Sequence, residues 1–254
     1  MTKIVSTHSF RGGTGKSNIT ANLATLLALD GNRVGIFDGD IQSPGIHVIF
    51  GLSDLTVGYT LNDYLWGNCK IEEAAYRVFG DEKSSGQIFL VPASIKPNDI
   101  ARILREKYDA NDMHNAFRDL ITALNLDYLL IDTHPGLNEE TLLSVAISDA
   151  LVIILRPDQQ DFQGTSVTVD IARRLRVPQV ELVVNKMPPD YDFVDVQRKV
   201  EKAYNCTVAA LLPLSMDIAE NASATVFCLA HPDHPFTRGV RKLADALSAE
   251  NEPA

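Results

Sequence analysis

A glycine-rich stretch near the start of the chain has the residue types that bind phosphate. Residues 10–18 read FRGGTGKSN. The three glycines in it have no Cβ, so the backbone N–H groups of the turn can approach a polyphosphate closely. Lys16 is expected to reach the β and γ phosphates, and the Ser17 hydroxyl is expected to bind a magnesium ion. The stretch therefore predicts a loop that binds a nucleoside triphosphate together with Mg²⁺.

The residues on either side place this loop between a strand and a helix. Apolar Ile4 and Val5 precede it, and apolar residues at helical spacing follow it from Ile19 to Leu27. The free N–H groups and the positive dipole end of that helix would point at the same anion. The strict P-loop pattern needs glycine at position 10, where this chain has Phe10. A glycine-rich turn without a ligand is the alternative interpretation. The loop residues predicted to bind nucleotide are Arg11, Gly12, Gly13, Thr14, Gly15, Lys16, Ser17 and Asn18.

Three aspartates follow predicted strands. Asp38 and Asp40 come after one apolar run, and Asp132 ends another. The carboxyl ends of parallel strands form the ligand edge of an α/β sheet, so these carboxylates are expected beside the glycine-rich loop. There they favour magnesium and water chemistry, with Asp132 holding a magnesium-bound water. A single aspartate in such a place can instead cap a helix or form a turn. His134 is interpreted as a spacer or hydrogen-bond donor rather than a base.

The rest of the chain alternates strand-like runs with helical patterns. Strands are predicted at 33–37, 87–91, 128–131, 150–155, 180–184 and 208–212, and helices at 61–66, 71–78, 98–107, 113–124, 163–175, 193–204 and 236–247. Asn98 and Asp112 are expected to cap two of the helices. The alternation predicts an α/β fold with a doubly wound, mostly parallel sheet and helices on both faces. With 254 residues and 45% hydrophobic content, residues 1–254 can form one such domain.

Composition narrows the functional classes. A net charge of −10 argues against a protein coated in nucleic acid, although it leaves room for a local basic face. The three cysteines are widely spaced and predict neither a disulfide framework nor a CxxC metal site. His231 and His234 are interpreted as part of a proline-rich surface loop rather than a metal pair. The chain has no apolar stretch of membrane-spanning length and no room for a signal peptide before the first strand, so a cytoplasmic protein is expected.

Five motifs together resemble the ParA/MinD family of ATPases. They are FRGGTGKSN, the DGD at 38–40, LLIDTHPG at 129–136, VVNK at 183–186 and LLPLS at 211–215, in the order of the family and at about its spacing. The resemblance spans essentially the whole chain. It implies a P-loop NTPase fold, ATP and Mg²⁺ as cofactors, and an ATP-dependent sandwich homodimer that separates on slow, partner-stimulated hydrolysis.

The resemblance also implies individual roles. Asp40 would orient the attacking water, Asp38 would support the magnesium shell, and Asp132 would be the switch aspartate. Adenine would be held by Asn185 with the segment after Pro213. The expected catalytic residues are thus Lys16, Asp40 and Arg11, and the expected metal-site residues are Ser17, Asp38 and Asp132.

Arg11 is the important departure, because the family has a signature lysine there that crosses the dimer to the partner's phosphates. Arginine keeps the charge but offers a planar fork in place of a compact ammonium. The carboxysome-positioning (McdA-like) branch lacks this lysine and uses a basic residue from its C-terminal half, and the chain resembles that branch most. Arg156, at the end of a predicted strand, is the hypothesis for the substitute, with Arg11 itself as the alternative.

Three functional classes follow from the resemblance. The first is a cargo-positioning or partitioning ATPase for a carboxysome, plasmid or chromosome, which binds nucleoid DNA without sequence preference and is released by a cargo adaptor. The second is a MinD-type membrane switch, for which the tail at 247–254 lacks the bulky apolar residues, so no membrane insertion is expected. The third is a metabolic or redox ATPase, such as a reductase with a bridging iron–sulfur cluster, although the cysteines do not lie next to the switch motifs.

The basic clusters considered for DNA are Arg173, Arg174 and Arg176, then Arg198, Lys199 and Lys202, then Arg238, Arg241 and Lys242, each of which can also be an ordinary solvated helix face.

Overall fold

The fold is built on one eight-stranded sheet, seen in a computed structural model that describes residues 1–53, 56–106 and 110–249. The strands are β1 (Lys3–His8), β2 (Arg33–Gly39), β3 (Tyr76–Phe79), β4 (Gln87–Val91), β5 (Tyr128–Thr133), β6 (Ala150–Leu155), β7 (Gln179–Met187) and β8 (Thr207–Pro213). Their order is β3-β4-β2-β5-β1-β6-β7-β8, and every neighbouring pair is parallel except β3 with β4. The predicted mostly parallel sheet is confirmed.

Helices connect the strands and cover both faces of the sheet. They are α1 (Lys16–Leu29), α2 (Ile46–Ile49), α3 (Leu61–Leu65), α4 (Pro97–Arg105), α5 (Ala110–Leu124), α6 (Glu139–Ala146), α7 (Gln159–Arg174), α8 (Phe193–Tyr204), α9 (Met216–Asn221), α10 (Phe227–Ala230) and α11 (Pro235–Ser248), with a 3-10 helix at Ile71–Ala74. Alternate β6 residues separate the two faces, since Val152 packs in one apolar cluster with α1 and α11 while Ile153 packs in another with α7 and α8. The doubly wound prediction is therefore also confirmed.

The segment predicted as a helix over 71–78 is wrong in its second half. Its first four residues form the 3-10 helix, and Tyr76–Phe79 form β3, which lies antiparallel to β4 at the sheet edge. This strand reads YRVF, and aromatic and β-branched residues suit the pleated surface of a sheet. A short apolar run of this kind does not distinguish a helix from a strand by spacing alone.

Two helix caps differ from the prediction. Helix α4 begins at Pro97 with Lys96 as N-cap, because proline is well suited to the first turn of a helix, so Asn98 lies inside the helix. Asp112 also lies inside its helix, since α5 begins at Ala110. Residue 107, the predicted end of α4, lies outside the described residues.

The parallel strands bring their carboxyl ends to one edge of the sheet. In the register of β5, Asp132 lies beside Thr7 of β1 on one side and beside Asp38 of β2 on the other. The chain leaves β1 toward β2 and returns to β6 on the opposite side of β1, which makes this edge a topological switch point. The predicted site residues near 10–18, 38–40 and 132 consequently meet at that edge.

Candidate functional site

The glycine-rich loop joins β1 to α1 in the conformation that a phosphate site needs. Gly13 and Gly15 both have positive φ, +76° and +93°, which side chains with a Cβ rarely adopt. A Cβ on Gly15 would lie 2.6 Å from Asn185 Nδ2, so glycine is also required there by close packing. Gly15 is the N-cap of α1 and offers no side-chain cap, which leaves the first N–H groups of a 14-residue helix available to an anion.

Lys16 is buried under this loop and points across the sheet edge. It is only 6% exposed, and its Nζ donates a hydrogen bond of 2.7 Å to Asp132 Oδ1. The Thr20 hydroxyl lies 3.4 Å from the same carboxylate oxygen and 2.7 Å from the Thr7 hydroxyl. The predicted phosphate lysine and the predicted switch aspartate thus form a buried ion pair.

Asp38 and Asp132 form a pair of buried carboxylates that can still accept hydrogen bonds or bind a cation. Both are 0% exposed, and each keeps one oxygen, Asp38 Oδ2 and Asp132 Oδ2, that has no hydrogen-bond partner. Burial, followed by the charge of Asp132, raises the pKa of Asp38 well above its usual range. A divalent cation would relieve this repulsion, and carboxylate oxygens are the ligands that Mg²⁺ takes. The residues present therefore fit the magnesium site that the sequence predicts.

Asp40 lies at the rim of this acidic pair. One of its oxygens accepts the Ser43 N–H at 3.1 Å, and its own N–H donates to Asp38 Oδ1 at 3.2 Å. Burial is the main cause of a raised pKa at Asp40. The ring of His134 comes close, with Nε2 3.8 Å from Asp40 Oδ1. The sequence interpretation left His134 outside the chemistry, and only the folded loop brings it against this carboxylate.

A cavity of about 450 Å³ adjoins the glycine-rich loop on the side of β7 and β8. Its volume lies within the usual range for small-molecule sites. Asn185, whose Nδ2 donates to Thr14 O at 2.7 Å, forms one wall together with the loop. The segment that begins at Pro213 also lines the cavity. The cavity is lined by Gly13, Gly15, Asn18, Asn185, Lys186, Pro213, Leu214, Ser215, Ile218, Ala219, Ala222, Ser223 and Phe236.

Arg11 and Arg156 share one counter-ion. Arg156 donates from Nε and Nη2 to the two oxygens of Asp161, at 2.9 and 3.2 Å. Arg11 Nη1 lies 3.9 Å from Asp161 Oδ1 and donates to the side chain of Gln160. Although burial opposes the effect, the bonds and charge of Arg156 lower the pKa of Asp161. The side chain of Arg11 is 42% exposed and that of Arg156 is 26% exposed, so Arg156 is the more buried of the two.

The basic clusters lie on different faces of the sheet. Helices α7 and α8 pack in one apolar cluster, whereas α11 packs in the cluster on the other face. Four of the arginines and lysines are paired with acidic side chains: Arg173 with Asp170, Arg198 and Lys199 with Asp195, and Arg241 with Asp30. The clusters on α7 and α8 therefore lie on one side of the sheet, and the cluster on α11 lies on the other.

The described residues contain no group of three or more His, Cys, Asp or Glu side chains placed to hold a metal ion. No helix among them is both long enough and apolar enough to cross a membrane. The three cysteines are free and lie in separate parts of the fold, with Cys228 buried beside Asn22 and Cys206 beside Arg173.

The strand, glycine-rich loop and helix, with a buried lysine and carboxylates at the carboxyl edge of a parallel sheet, define a P-loop NTPase. The chain belongs to the ParA family, whose model is described as a NUBPL iron-transfer P-loop NTPase and matches residues 1–248.

Several known proteins resemble this chain over most of its length. An uncharacterized ATP-binding protein of Methanocaldococcus jannaschii is 28% identical over 240 residues, covering 94% of this chain and 85% of that protein. An iron-sulfur cluster carrier protein of Deinococcus radiodurans is 26% identical over 263 residues, covering 97% and 69%. The structure of the septum site-determining protein MinD complexed with Mg-ADP, from Pyrococcus horikoshii, superposes with a TM-score of 0.79 at 21% identity and covers 98% of this chain and 96% of that one. That likeness confirms the predicted fold.

Proposed function

We propose that this chain is a slow, magnesium-dependent ATPase whose ATP-bound form is a two-fold sandwich dimer and whose hydrolysis step separates the subunits. One observation carries the proposal. The uncapped N-terminus of α1 and the buried Lys16 adjoin two fully buried carboxylates, each with an oxygen that has no partner. Cationic and N–H groups beside unpartnered carboxylate oxygens suit a phosphate chelated to a divalent cation.

The proposed chemistry assigns a task to each group. Magnesium would supply charge neutralisation on the transferred phosphoryl group. Ser17, Asp38 and Asp132 would surround the metal, and Lys16 would neutralise the phosphates. Asp40 would orient the attacking water as a hydrogen-bond acceptor, in a position already fixed by the Ser43 N–H. Adenine would occupy the cavity between the loop and the segment after Pro213.

Calorimetric titration with ATP and Mg²⁺ tests the proposed site. Lys16→Ala is expected to abolish measurable binding, while Asp40→Ala is expected to bind ATP like the wild type and to lose hydrolysis. Lys70→Ala is a matched control, because Lys70 is exposed and pairs only loosely with Glu72 at 3.9 Å. Undiminished ATP binding by Lys16→Ala would contradict the proposal.

The contacts of Asp161 favour Arg11 over Arg156 as the cation that reaches the partner's phosphates. Arg156 gives its guanidinium fork to a buried carboxylate of its own chain, and breaking such a pair is costly. Arg11 is more exposed and holds Asp161 only at 3.9 Å. Arg11→Ala is expected to abolish ATP-dependent dimerisation with ATP binding retained. If Arg156→Ala alone abolishes the dimer and leaves the fold intact, Arg156 is the substitute instead.

We further propose that the dimer positions intracellular cargo, with a cargo adaptor that stimulates hydrolysis and with DNA bound without sequence preference. The McdA-like branch stays a prediction from the residue at position 11. The α7 and α8 clusters lie in one layer of the fold, which supports them as the DNA face. Reversing Arg198, Lys199 and Lys202 to glutamate is expected to abolish retention of the ATP-locked protein on DNA at low salt. The same reversal of Arg238, Arg241 and Lys242 on the other face is the matched control.

The adaptor and the membrane alternative have direct tests. A pull-down with the Asp40→Ala protein in ATP is expected to enrich the adaptor, because this variant would stay in the dimeric form. Co-sedimentation with anionic liposomes is expected to leave the protein in the supernatant. Sedimentation with the liposomes only when ATP is present would favour a MinD-type membrane switch.

Iron–sulfur cluster carriage is the second candidate. The description of the family and the Deinococcus relative favour it. The placement of the cysteines favours the switch, since Cys228 is 3% exposed and Cys228, Cys69 and Cys206 each pack in a different apolar cluster. Anaerobic reconstitution with iron and sulfide distinguishes the two. A stable visible absorption band that is lost in Cys69→Ser or Cys206→Ser would establish carriage.

A further inference from the structure

Lys186 has a backbone conformation that is unusual for its place in the fold. Its φ is +58°, in the left-handed region. The other described non-glycine residues with positive φ lie one or two positions after the end of a helix, where such a conformation is common. Lys186 instead lies within β7, where the register with β8 is irregular between Val184 and Met187. Backbone strain of this kind persists where the surroundings impose it, and it clusters at functional sites.

The unusual backbone turns two consecutive side chains onto the same loop. In a regular strand, neighbouring side chains point to opposite faces. Here Asn185 donates to Thr14 O at 2.7 Å and Lys186 Nζ donates to Gly13 O at 2.8 Å. The irregularity in β7 therefore serves to hold successive carbonyls of the glycine-rich loop.

Holding these carbonyls also orients the N–H groups of the loop. The C=O and N–H of a trans peptide point in opposite directions. With the Gly13 and Thr14 carbonyls directed at Lys186 and Asn185, the N–H groups of Thr14 and Gly15 are directed away from them. These N–H groups are among those that the loop would offer to phosphate.

We propose that Lys186 is a positioning residue of the nucleotide site, which fixes the loop by its hold on the Gly13 carbonyl. The inference rests on the proposed nucleotide site and adds a residue to it. Asn185 makes the second contact of the same clamp. An ammonium bonded to a carbonyl is a charge-assisted contact, so its loss should matter more than that of a neutral surface contact.

Binding of ADP, measured by calorimetry, tests the proposal without reference to hydrolysis. Lys186→Gly is the sharpest variant, because glycine accepts positive φ without strain and lacks the ammonium. We expect it to weaken ADP binding about tenfold, the effect of one charged hydrogen bond, while the melting temperature of the nucleotide-free protein stays equal or rises. A merely structural role would lower both together. Lys186→Arg, which keeps a cationic donor, is expected to bind ADP more tightly than Lys186→Met.

The outcomes separate this inference from the proposed function. Lys70→Met serves as the control for removal of an exposed lysine. If the wild type binds ADP and Lys186→Gly and Lys186→Met bind it equally well, Lys186 is not a positioning residue. If the wild type itself takes up no ADP, the proposed nucleotide site fails.

Discussion

His8, at the end of β1, is a neutral histidine enclosed by the candidate site. It is 0% exposed, and its Nδ1 lies 2.9 Å from the Thr133 hydroxyl. Because that hydroxyl donates to Thr7 O, Nδ1 of His8 is the donor of the contact, which leaves Nε2 without a partner. Burial above all, followed by the charges of Lys16 and His134, lowers the pKa of His8 to about 3.

The lowered pKa predicts a loss of stability in mild acid. At pH values between the usual pKa of 6.5 and the folded-state pKa of about 3, His8 is protonated in the unfolded chain and neutral in the folded chain. The free energy of unfolding therefore falls as the pH falls through this window, by up to about 1.4 kcal/mol per pH unit from this group. Well above pH 6.5 neither state binds the proton, so the group contributes no pH dependence there.

His8→Asn isolates this contribution, since asparagine retains a donor for Thr133 and does not titrate. Urea unfolding at pH 7.0 and pH 5.5 is expected to show a smaller drop in stability for the variant than for the wild type. Equal drops in the two proteins would mean that His8 is charged in the folded state.

The start of the glycine-rich loop is pinned to α7 by packing as well as charge. Phe10 stands where the strict P-loop pattern has glycine, and its ring lies against Gly164 of α7. A Cβ on Gly164 would lie 2.1 Å from Phe10 Cδ1. The bulky residue at position 10 is thus accommodated by a glycine more than 150 positions away, which explains how the loop departs from the pattern and still closes.

Gly164→Ala should therefore be destabilising in spite of the better helix propensity of alanine. The propensity gain is ~1 kcal/mol, while overpacking against Phe10 typically costs about 1–3 kcal/mol. Displacement of Phe10 should also weaken ATP binding, because the loop begins there. Ser166→Ala on the exposed side of the same helix is the matched control, expected within about 0.5 kcal/mol of the wild type. A stabilised Gly164→Ala protein would show that the contact is loose.

Long periodic elements were predictable from the sequence, and so was the five-residue α3, but several other short elements were not. The strands with continuous apolar runs and helices such as α8 follow directly from their spacing. The short α6, α9 and α10 carry too few turns for a helical period to appear. Strand β3 was mistaken for helix because its apolar residues pair with β4, a contact that local spacing does not contain.

The candidate site was predictable where strand ends carry its residues. Asp38 and Asp132 are far apart in sequence, yet parallel topology alone places them side by side. The hold of Lys186 on Gly13 and the shared counter-ion Asp161 were missed, because each depends on tertiary geometry. A lysine in a strand sequence gives no indication that its φ will be positive. Asp161 has the sequence position of an ordinary acidic residue in the first turn of α7.

At the level of the assembly, nucleotide is the proposed link between two copies of the chain. Within one chain, Lys16 pairs with Asp132 and Arg11 lies near Asp161. ATP would offer both cations a stronger anionic partner, and for Arg11 that partner would belong to the other subunit. Dimerisation should accordingly depend on the γ phosphate and on Arg11.

The molar mass of the Asp40→Ala protein in solution, measured by light scattering after gel filtration, tests this most directly. With Mg²⁺ and ATP the account predicts a dimer, and with Mg²⁺ and ADP it predicts a monomer of 27.9 kDa. The double variant Asp40→Ala/Arg11→Ala is predicted to be monomeric with either nucleotide. The same mass for Asp40→Ala in ATP and in ADP would contradict the account.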